Sequence, residues 1–398
     1  MTAAQGGRTE RLTGAQAMLR VLRASNVTDY FGIVGGNLRE IFQALQADTD
    51  ARYTAVRHEA ASAFAAAAVY NSTGRLAVAL AELGPGTVNL VGGLGMAHNN
   101  NLPVLAITSA FSDARTSPLI GSMMELDGPL ATAAVTKWRT RVARVDRITS
   151  LTRWAIREAL SGRPGPVHLD IPAAVLAEEH DFSSAELDAP LEHFAAGGRT
   201  PADAEQVAKA ARLVAEGSRI LLLAGGGVVH SDATEEFRAL ARRLGAAATG
   251  TQMAIGVVDT TAADFIGHAG AIGGRPVVRA MAEADVVIAA GCKFGSWVRS
   301  GTDSLMPGWP SQSIIQIDTD PAAIGRAQPV AVGLVGDAKA ILRQLADAIT
   351  ETAALRPGLA RLAGAGSADA PRGPGTARAK RAPASGRDRD RDVPGRAR

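Results

Sequence analysis

The chain contains 398 residues, 46% hydrophobic and 20% charged, which is enough for two globular domains with separate cores. A single cysteine, Cys292, excludes an internal disulfide framework and any site built from several thiolates, and we expect it to be a small buried residue. The net charge of +3 does not indicate a nucleic-acid-binding protein, because residues 364–398 hold eight Arg and one Lys against four Asp while residues 1–363 are close to neutral.

Membrane and nucleic-acid partners are not predicted. No run of uncharged apolar residues reaches the roughly 18 that a membrane span requires, and the first residues, MTAAQGGRTERLTG, lack the apolar centre of a signal peptide. The basic segment at the end of the chain lacks the aromatic residues that would stack on bases. The expected location is therefore cytoplasmic.

Residues 10–175 show a first alternation of predicted strands and helices. Four short apolar runs bounded by Gly, Pro or Asn are typical of buried parallel strands: TDYFGIVG, LAVALAE, LPVLAITSA and GPVHLDIP. Helix-like segments such as LREIFQALQ and TVNLVGGLGMAHN lie between these runs. After Pro172 the chain becomes polar and acidic, so residues 176–200 are predicted to form a linker on the surface.

A second alternation extends over residues 201–352. The predicted strands are RILLLAGGGVV, DVVIAAG and SIIQIDTD, and the predicted helices are EQVAKAARLVAEG, DATEEFRALARRLG and GDAKAILRQLADAIT. The sequence therefore predicts an α/β protein with two doubly wound parallel-sheet domains, of which the second is Rossmann-like. Residues 353–398 are predicted to be a disordered basic tail, because no Leu, Ile, Phe, Tyr or Trp occurs beyond Leu362.

One carboxylate and several glycine turns are the candidate functional features. Glu59 begins the segment RHEAASAFAAAAVYNSTG, which by itself predicts a closely packed helix with an acidic residue at its positive end. The turns FGIVGGN and ELGPGTVN each adjoin a predicted strand, where glycine lets the backbone approach a ligand. The AGGG turn at residues 224–227 is only part of a dinucleotide fingerprint.

No metal site is predicted. His58, His98, His168, His230 and His268 lack the spacing and the neighbouring carboxylates of metal ligands, and we expect them to be surface or packing residues. The sequence also contains no Gly-x-Ser-x-Gly elbow and no P-loop.

The ordered set of motifs over residues 10–350 resembles the thiamine diphosphate-dependent enzymes, in particular the large subunits of acetolactate synthases and related 2-keto acid decarboxylases and carboligases. In the first domain the resemblance is carried by FGIVGGN, RHEAASAFAAAAVYNSTG, ELGPGTVNLVGGLGMAHN, VTKWRTRV and RPGPVHLDIP. In the second it is carried by LAGGGVV, GCKFGSW, IIQIDTDPAAIGR and VGDAKAILRQL. It implies a pyrimidine-binding domain at residues 10–175 and a central domain at 201–352.

The resemblance assigns a catalytic role to Glu59. In the family this carboxyl group hydrogen-bonds the pyrimidine of thiamine diphosphate and favours the imino tautomer, which removes the thiazolium proton. This role favours an apolar environment, which the following alanines are expected to supply. Further positions implied to contact the cofactor are the two turns, at Gly35, Gly36, Gly84, Pro85, Gly86 and Asn89. Glu82 departs from the family pattern, since relatives often have Thr-Ser at residues 82–83.

The central domain holds FAD in acetolactate synthases, whereas many relatives bind no flavin or another nucleotide. Lys293 and Ser296 depart from the arginine and aspartate that are common in FAD-binding members, so FAD and its absence both remain open. The positions implied to surround FAD are Gly225, Gly226, Thr251, Met253, Gly291, Asp318 and Asp337.

The resemblance also implies a third domain that would hold Mg²⁺ and the diphosphate with a Gly-Asp-Gly signature and a later Asn. These 398 residues contain no such signature. We expect one of two arrangements. Either a frameshift has truncated the enzyme and left it inactive alone, or the enzyme is split and a separate chain completes it. The expected partners are a 2-keto acid and either a second copy or that chain. A non-catalytic subunit is the alternative.

Overall fold

The computed structural model describes residues 8–111, 121–194, 197–262, 264–270, 273–296, 298, 306–308 and 310–352. Two six-stranded parallel sheets dominate the fold, and a two-stranded antiparallel sheet lies beside the first. The prediction of two parallel-sheet α/β domains is confirmed, whereas the predicted tail at 353–398 lies outside the described residues. None of the described helices combines the length and the apolar character that crossing a bilayer requires.

The first domain contains eight strands and eight α-helices among the described residues. The strands are β1 (Thr9–Thr13), β2 (Asp29–Gly32), β3 (Arg52–Ala55), β4 (Val78–Ala81), β5 (Leu105–Ala110), β6 (Trp138–Arg141), β7 (Val167–Pro172) and β8 (Glu179–Ser183). The helices are α1 (Gly14–Ala24), α2 (Arg39–Ala47), α3 (Glu59–Thr73), α4 (Pro85–Asn99), α5 (Gly128–Ala131), α6 (Ile148–Leu160), α7 (Ala173–Ala177) and α8 (Ser184–Asp188).

The first large sheet has the strand order β3-β2-β4-β5-β7-β6 and is covered by helices on both faces. Alternation along β4 shows this directly, because Val78 and Leu80 pack with α1, α2 and α6 while Ala79 and Ala81 pack with α3 and α4. The small residues on the second face let α3 and α4 lie close to the sheet. The interval 176–200, predicted as a linker, contains β8 and α8, and β8 pairs with β1.

The second domain contains six strands and five α-helices among the described residues. The strands are β9 (Ile220–Ala224), β10 (Ala247–Gly250), β11 (Phe265–His268), β12 (Val286–Ala290), β13 (Ser313–Asp318) and β14 (Val332–Val335). The helices are α9 (Ala204–Glu216), α10 (Gly226–His230), α11 (Thr234–Leu244), α12 (Arg275–Glu283) and α13 (Ala338–Thr352). Short 3₁₀ turns connect several elements, at Gly36–Leu38, Ala133–Val135, Val145–Arg147, Leu191–His193, Gln252–Ala254 and Pro321–Ala323.

The second sheet has the order β11-β10-β9-β12-β13-β14, with the fully buried β9 and β12 at its centre. Local signals explain the helix ends: the Asp203 side chain accepts a bond from Gln206 N at the start of α9, and Gly245 ends α11 at φ +55°. The two domains contact each other through Arg163, which pairs with Asp318 at 3.4 Å and with Asp320 at 3.3 Å.

Candidate functional site

The carboxyl edge of the first sheet gathers the predicted residues of that domain. Strands β3 and β4 lead at this edge into α3 and α4, and the turn at Gly35–Asn37 follows the neighbouring β2. The carboxyl edge of a parallel sheet is the usual position of a ligand site in doubly wound folds. The fold therefore brings Glu59, both glycine turns and Glu82 into one region.

Glu59 is the first residue of α3 and is half-buried. Its Oε2 accepts a hydrogen bond from Asn89 Nδ2 at 3.0 Å, and no described residue donates to Oε1. The alanines after it have a packing role, because a side chain on Gly93 of α4 would lie 2.6 Å from Ala63 Cβ. Glu59 thus begins a helix that packs closely against α4. The apolar enclosure expected around the Glu59 carboxylate is only partial in this chain.

The turn before α4 needs its first glycine for conformation and contact. Gly84 has φ +63°, and a Cβ there would lie 2.1 Å from the carbonyl oxygen of Met124. Pro85 occupies the first position of α4, where its fixed φ suits a helix start. A Cβ on Gly86 would lie 3.4 Å from Glu59 Oε1, so the absence of a side chain keeps space open beside that oxygen.

A second carboxylate, Glu82, lies in the same region. Its Oε1 accepts from Asn37 Nδ2 at 2.6 Å and from Ser109 Oγ at 2.9 Å, and its Oε2 accepts from Asn37 N at 3.3 Å. A Cβ on Gly35 would lie 1.7 Å from Oε2, whereas one on Gly36 would meet nothing within 4 Å. Gly35 therefore leaves the space that the Glu82 carboxylate occupies, and Gly36 has no described neighbour that calls for a glycine.

The seven residues expected around a central-domain nucleotide all line one cavity of about 1080 Å³ between the two domains. Two of these glycines have a packing reason of their own. A Cβ on Gly225 would lie 2.1 Å from Gly291 O, and one on Gly291 would lie 2.4 Å from Gly227 Cα. These glycines let the two loops touch, which the packing of the fold requires. Both glycines also line the cavity.

The carboxylates that line this cavity already have partners. Asp318 pairs with Arg163, and Asp337 pairs with Arg199 at 2.9 Å and accepts a bond from Ser231 Oγ at 2.8 Å. Lys293 donates to the carbonyl oxygen of Asn99, and burial lowers the pKa of its ammonium group. The cavity wall is therefore a network of satisfied charges that joins the two domains.

The sequence did not predict that Tyr70 and His230 line this cavity together. The His230 ring lies 5.7 Å from the Tyr70 ring, centroid to centroid, which joins α10 to α3. Burial lowers the pKa of His230, and its Nε2 is buried without a hydrogen-bond partner among the described atoms. The contact joins residues far apart in sequence, so no local pattern could have indicated it.

His168 lies inside the first sheet, fully buried between two threonines. Thr108 Oγ1 donates to Asp170 Oδ1 at 2.7 Å, so its single proton is used and His168 Nε2, 2.7 Å away, donates to that oxygen. The unprotonated His168 Nδ1 then accepts from Thr132 Oγ1 at 2.8 Å, and the same hydroxyl lies 3.2 Å from the carbonyl oxygen of Gly128. Burial, with the positive charges of Arg141 and Arg139, lowers the pKa of His168 to about 3.

This histidine predicts acid sensitivity of folding. Its pKa falls from 6.5 when unfolded to about 3 when folded, so the unfolded chain binds the extra proton below pH 6.5 and stability decreases as pH falls. We expect this group alone to remove about 2 kcal/mol of unfolding free energy between pH 8 and pH 5. Urea unfolding at both pH values measures it.

The control for the acid sensitivity is His168→Gln, which should be less stable at pH 8 but should lose about 2 kcal/mol less on acidification. Burial raises the pKa of Asp170, an effect of opposite sign that both proteins share. Equal pH dependence in the two proteins would contradict the assignment.

Cys292 is buried, as predicted, and burial raises the pKa of its thiol to about 11. The protein therefore has no reactive thiolate at this position near neutral pH. Within the described part of the chain, no group of three or more His, Cys, Asp or Glu residues is arranged to hold a metal ion.

Comparison with known proteins identifies both domains. Residues 12–128 match the thiamine pyrophosphate enzyme N-terminal TPP binding domain, and residues 207–345 match the thiamine pyrophosphate enzyme central domain. The chain is 35% identical to the acetolactate synthase large subunit of Corynebacterium glutamicum over 353 residues, which covers 86% of this chain and 54% of that protein.

Similar relatives occur in other organisms. A probable acetolactate synthase large subunit of Methanococcus aeolicus is 33% identical over 84% of this chain and 55% of its own length. An acetolactate synthase of Mycobacterium bovis is 35% identical over 84% of this chain and 53% of its own length. The chain thus spans about half the length of the curated relatives it matches.

Proposed function

The chain belongs to the thiamine pyrophosphate enzyme family, of which it carries the N-terminal and central domains, and from this we propose that it supplies the pyrimidine half of a thiamine diphosphate site. The proposed reaction is that of an acetolactate synthase-type enzyme, decarboxylation of a 2-keto acid followed by carboligation. The observation that carries the proposal is Glu59, held by Asn89 at 3.0 Å with Oε1 free of described donors beside Gly86.

The residues present fit an aminopyrimidine. Asn89 fixes one carboxyl oxygen of Glu59, and the space beside Gly86 leaves the other oxygen accessible to a ring nitrogen. Bound thiamine diphosphate supplies an electron sink for the loss of CO₂ from a 2-keto acid. The role of Glu59 is to hold a proton and share it with the ring nitrogen. The role of the Gly84–Gly86 turn is to shape the pocket around the pyrimidine ring.

The two matched domains supply the pyrimidine half, so the diphosphate half of the site is proposed to come from outside the residues described here. Mg²⁺ would supply the charge that neutralises the diphosphate there, because that group favours a hard dication with oxygen ligands. In the alternative candidate function this chain is a non-catalytic or split-enzyme subunit that meets a separate chain carrying the diphosphate domain. A cytoplasmic location belongs to the same set of proposals.

Titration calorimetry distinguishes these candidates. If this chain is one half of a split site, thiamine diphosphate with Mg²⁺ should give no heat with the chain alone and should bind once the diphosphate-domain chain is added. Binding and turnover by the purified chain alone would overturn the proposal that its site is incomplete. No binding under either condition would overturn the thiamine site itself.

Assembly with a second copy is proposed from the outer face of α3 and α4. Helix α3 buries Ala63, Ala66 and Ala67, yet its opposite side is also apolar, with Phe64 44% exposed. Val88 on α4 is 49% exposed. Helices that are apolar on both sides are normally covered on both sides, and a second copy of the chain is the proposed cover.

We expect Phe64→Glu to shift the protein from dimer to monomer, because a charge in an apolar interface loses its hydration. Sedimentation equilibrium at several concentrations measures the shift. Phe194→Glu is the matched control, since Phe194 is 41% exposed but lies outside α3 and α4. A wild-type protein that sediments as a monomer, or equal behaviour of both variants, would contradict this surface.

The cavity between the domains is proposed as a nucleotide site, with FAD as the candidate. Its volume of about 1080 Å³ is at the upper end for ligand pockets. Quenching of FAD fluorescence on addition of the protein would support the assignment. Lys293→Met should weaken that binding, and an unchanged FAD spectrum at millimolar protein would exclude it.

A further inference from the structure

The carboxylate of Glu82 is held by three converging donors that come from two separate segments. Asn37 supplies its backbone N at 3.3 Å and its Nδ2 at 2.6 Å, and Ser109 supplies Oγ at 2.9 Å. Ser109 is buried, and its Oγ accepts a hydrogen bond from Leu83 N at 3.0 Å. Its single proton is therefore available only for Glu82.

This arrangement is typical of an anion-binding site. Backbone and side-chain donors that point at one position bind a carboxylate through charge-assisted hydrogen bonds. The ion pairs between described residues do not include Glu82, so these donors and not a cation hold its charge. Contact with Gly35, where a Cβ would lie 1.7 Å from Oε2, leaves the carboxylate no room to shift toward that turn.

Glu82 and Glu59 approach Gly86 from two sides. A Cβ on Gly86 would lie 3.4 Å from Glu59 Oε1 and 3.4 Å from Glu82 Cβ. Glu82 therefore adjoins the same turn as Glu59, and its carboxylate is a second negative charge at this edge of the sheet whose donors are already occupied. An external carboxylate would find repulsion at this position and no free donor.

We propose that Asn37 and Ser109 form an anion nest at the edge of the thiamine site, and that Glu82 is the positioning residue that fills it and excludes the carboxylate of a small 2-keto acid. The exclusion rests on the proposed function, whereas the nest itself does not. The carboxylate of the substrate must then be bound elsewhere in the completed site. Within the protein, the nest holds the Gly35–Asn37 turn in a fixed position relative to the start of α4.

The test uses Glu82→Ala in the full chain, with formate as the probe. Amide exchange by NMR at Asn37 and Leu83 reports on the nest, since both N–H groups donate within it. We expect exchange to be about tenfold faster or more in the variant, and formate to restore protection in a saturable manner. Pyruvate should also restore amide protection in the variant, whereas sodium chloride at equal ionic strength should not.

Two controls separate the nest from general salt effects. Glu82→Gln keeps the space filled, so formate should not change its exchange. Glu235→Ala removes an exposed carboxylate of α11 and should leave both amides unchanged. Saturable protection of these amides by formate in the wild type would overturn the proposal, and so would a folded Glu82→Ala protein that formate does not protect.

If Glu82→Ala does not fold, Asn37→Ala serves instead, because Asn37 is half-buried in a turn and the substitution removes only the 2.6 Å bond. Faster exchange at Leu83 and at the residue 37 amide, with an unchanged unfolding midpoint, supports the nest, and unchanged exchange overturns it. Formate rescue in a protein that binds no thiamine diphosphate, even after the diphosphate-domain chain is added, would refute the proposed function alone.

Discussion

Glu59→Gln is expected to slow exchange of the thiazolium proton of bound thiamine diphosphate by about two to four orders of magnitude, the usual contribution of a general acid–base group. Glutamine can keep the bond to Asn89 but cannot share a proton with the pyrimidine nitrogen. The assembly that binds the cofactor is incubated in deuterium oxide, and loss of the thiazolium proton is followed by NMR after acid quench.

The fold should be little affected by this change. Glu59 is half-buried at a helix start, and loss of its charge there should cost at most about 1 kcal/mol. The matched control is Glu40→Gln, since Glu40 also lies in the first turn of a helix, α2. Equal exchange rates in wild type and Glu59→Gln would contradict the role, and an equal loss in both variants would assign the effect to helix stability.

Gly225→Ala is expected to destabilise the second domain by about 3 kcal/mol or more. The new Cβ would lie 2.1 Å from Gly291 O and 2.6 Å from Cys292 Cα, both backbone atoms in a loop after the central strand β12. Two strand ends would have to separate for the side chain to fit. Urea unfolding followed by circular dichroism measures the loss.

Gly295→Ala is the matched control, because a Cβ there meets no atom of the described residues within 4 Å. Its unfolding free energy should remain within about 0.5 kcal/mol of the wild type. A Gly225→Ala protein as stable as this control would show that the close approach of the two loops is not a feature of the folded protein.

The strands at the centre of each sheet were predictable, and several outer strands were not. Strands β9 and β12 are continuous apolar runs that are buried along their whole length. Strand β3 is mostly exposed at a sheet edge, so its sequence, Arg52–Ala55, carries no apolar period. Strands β1 and β8 pair although almost the whole first domain separates them in sequence, and such a long-range contact cannot be predicted from a local sequence pattern.

The candidate site likewise contains residues that the sequence could predict and contacts that it could not. Glu59 and the Gly84–Asn89 turn lie within short motifs that could be read directly. The second charge of Glu82 was visible in the sequence, but its donors were not, because Asn37 and Ser109 are 45 and 27 residues away from it. The resemblance predicts that Gly225 and Gly291 contact a nucleotide, and the structure adds a packing reason that local sequence does not contain.

The central claim is that Glu59 meets the pyrimidine of thiamine diphosphate, and a crystal structure of the assembly with the cofactor and Mg²⁺ tests it most directly. We expect a ring nitrogen of the pyrimidine within about 3 Å of Glu59 Oε1, with the ring over Gly86. A pyrimidine bound away from Glu59, or a Glu59 carboxylate that contacts only protein, would contradict the account.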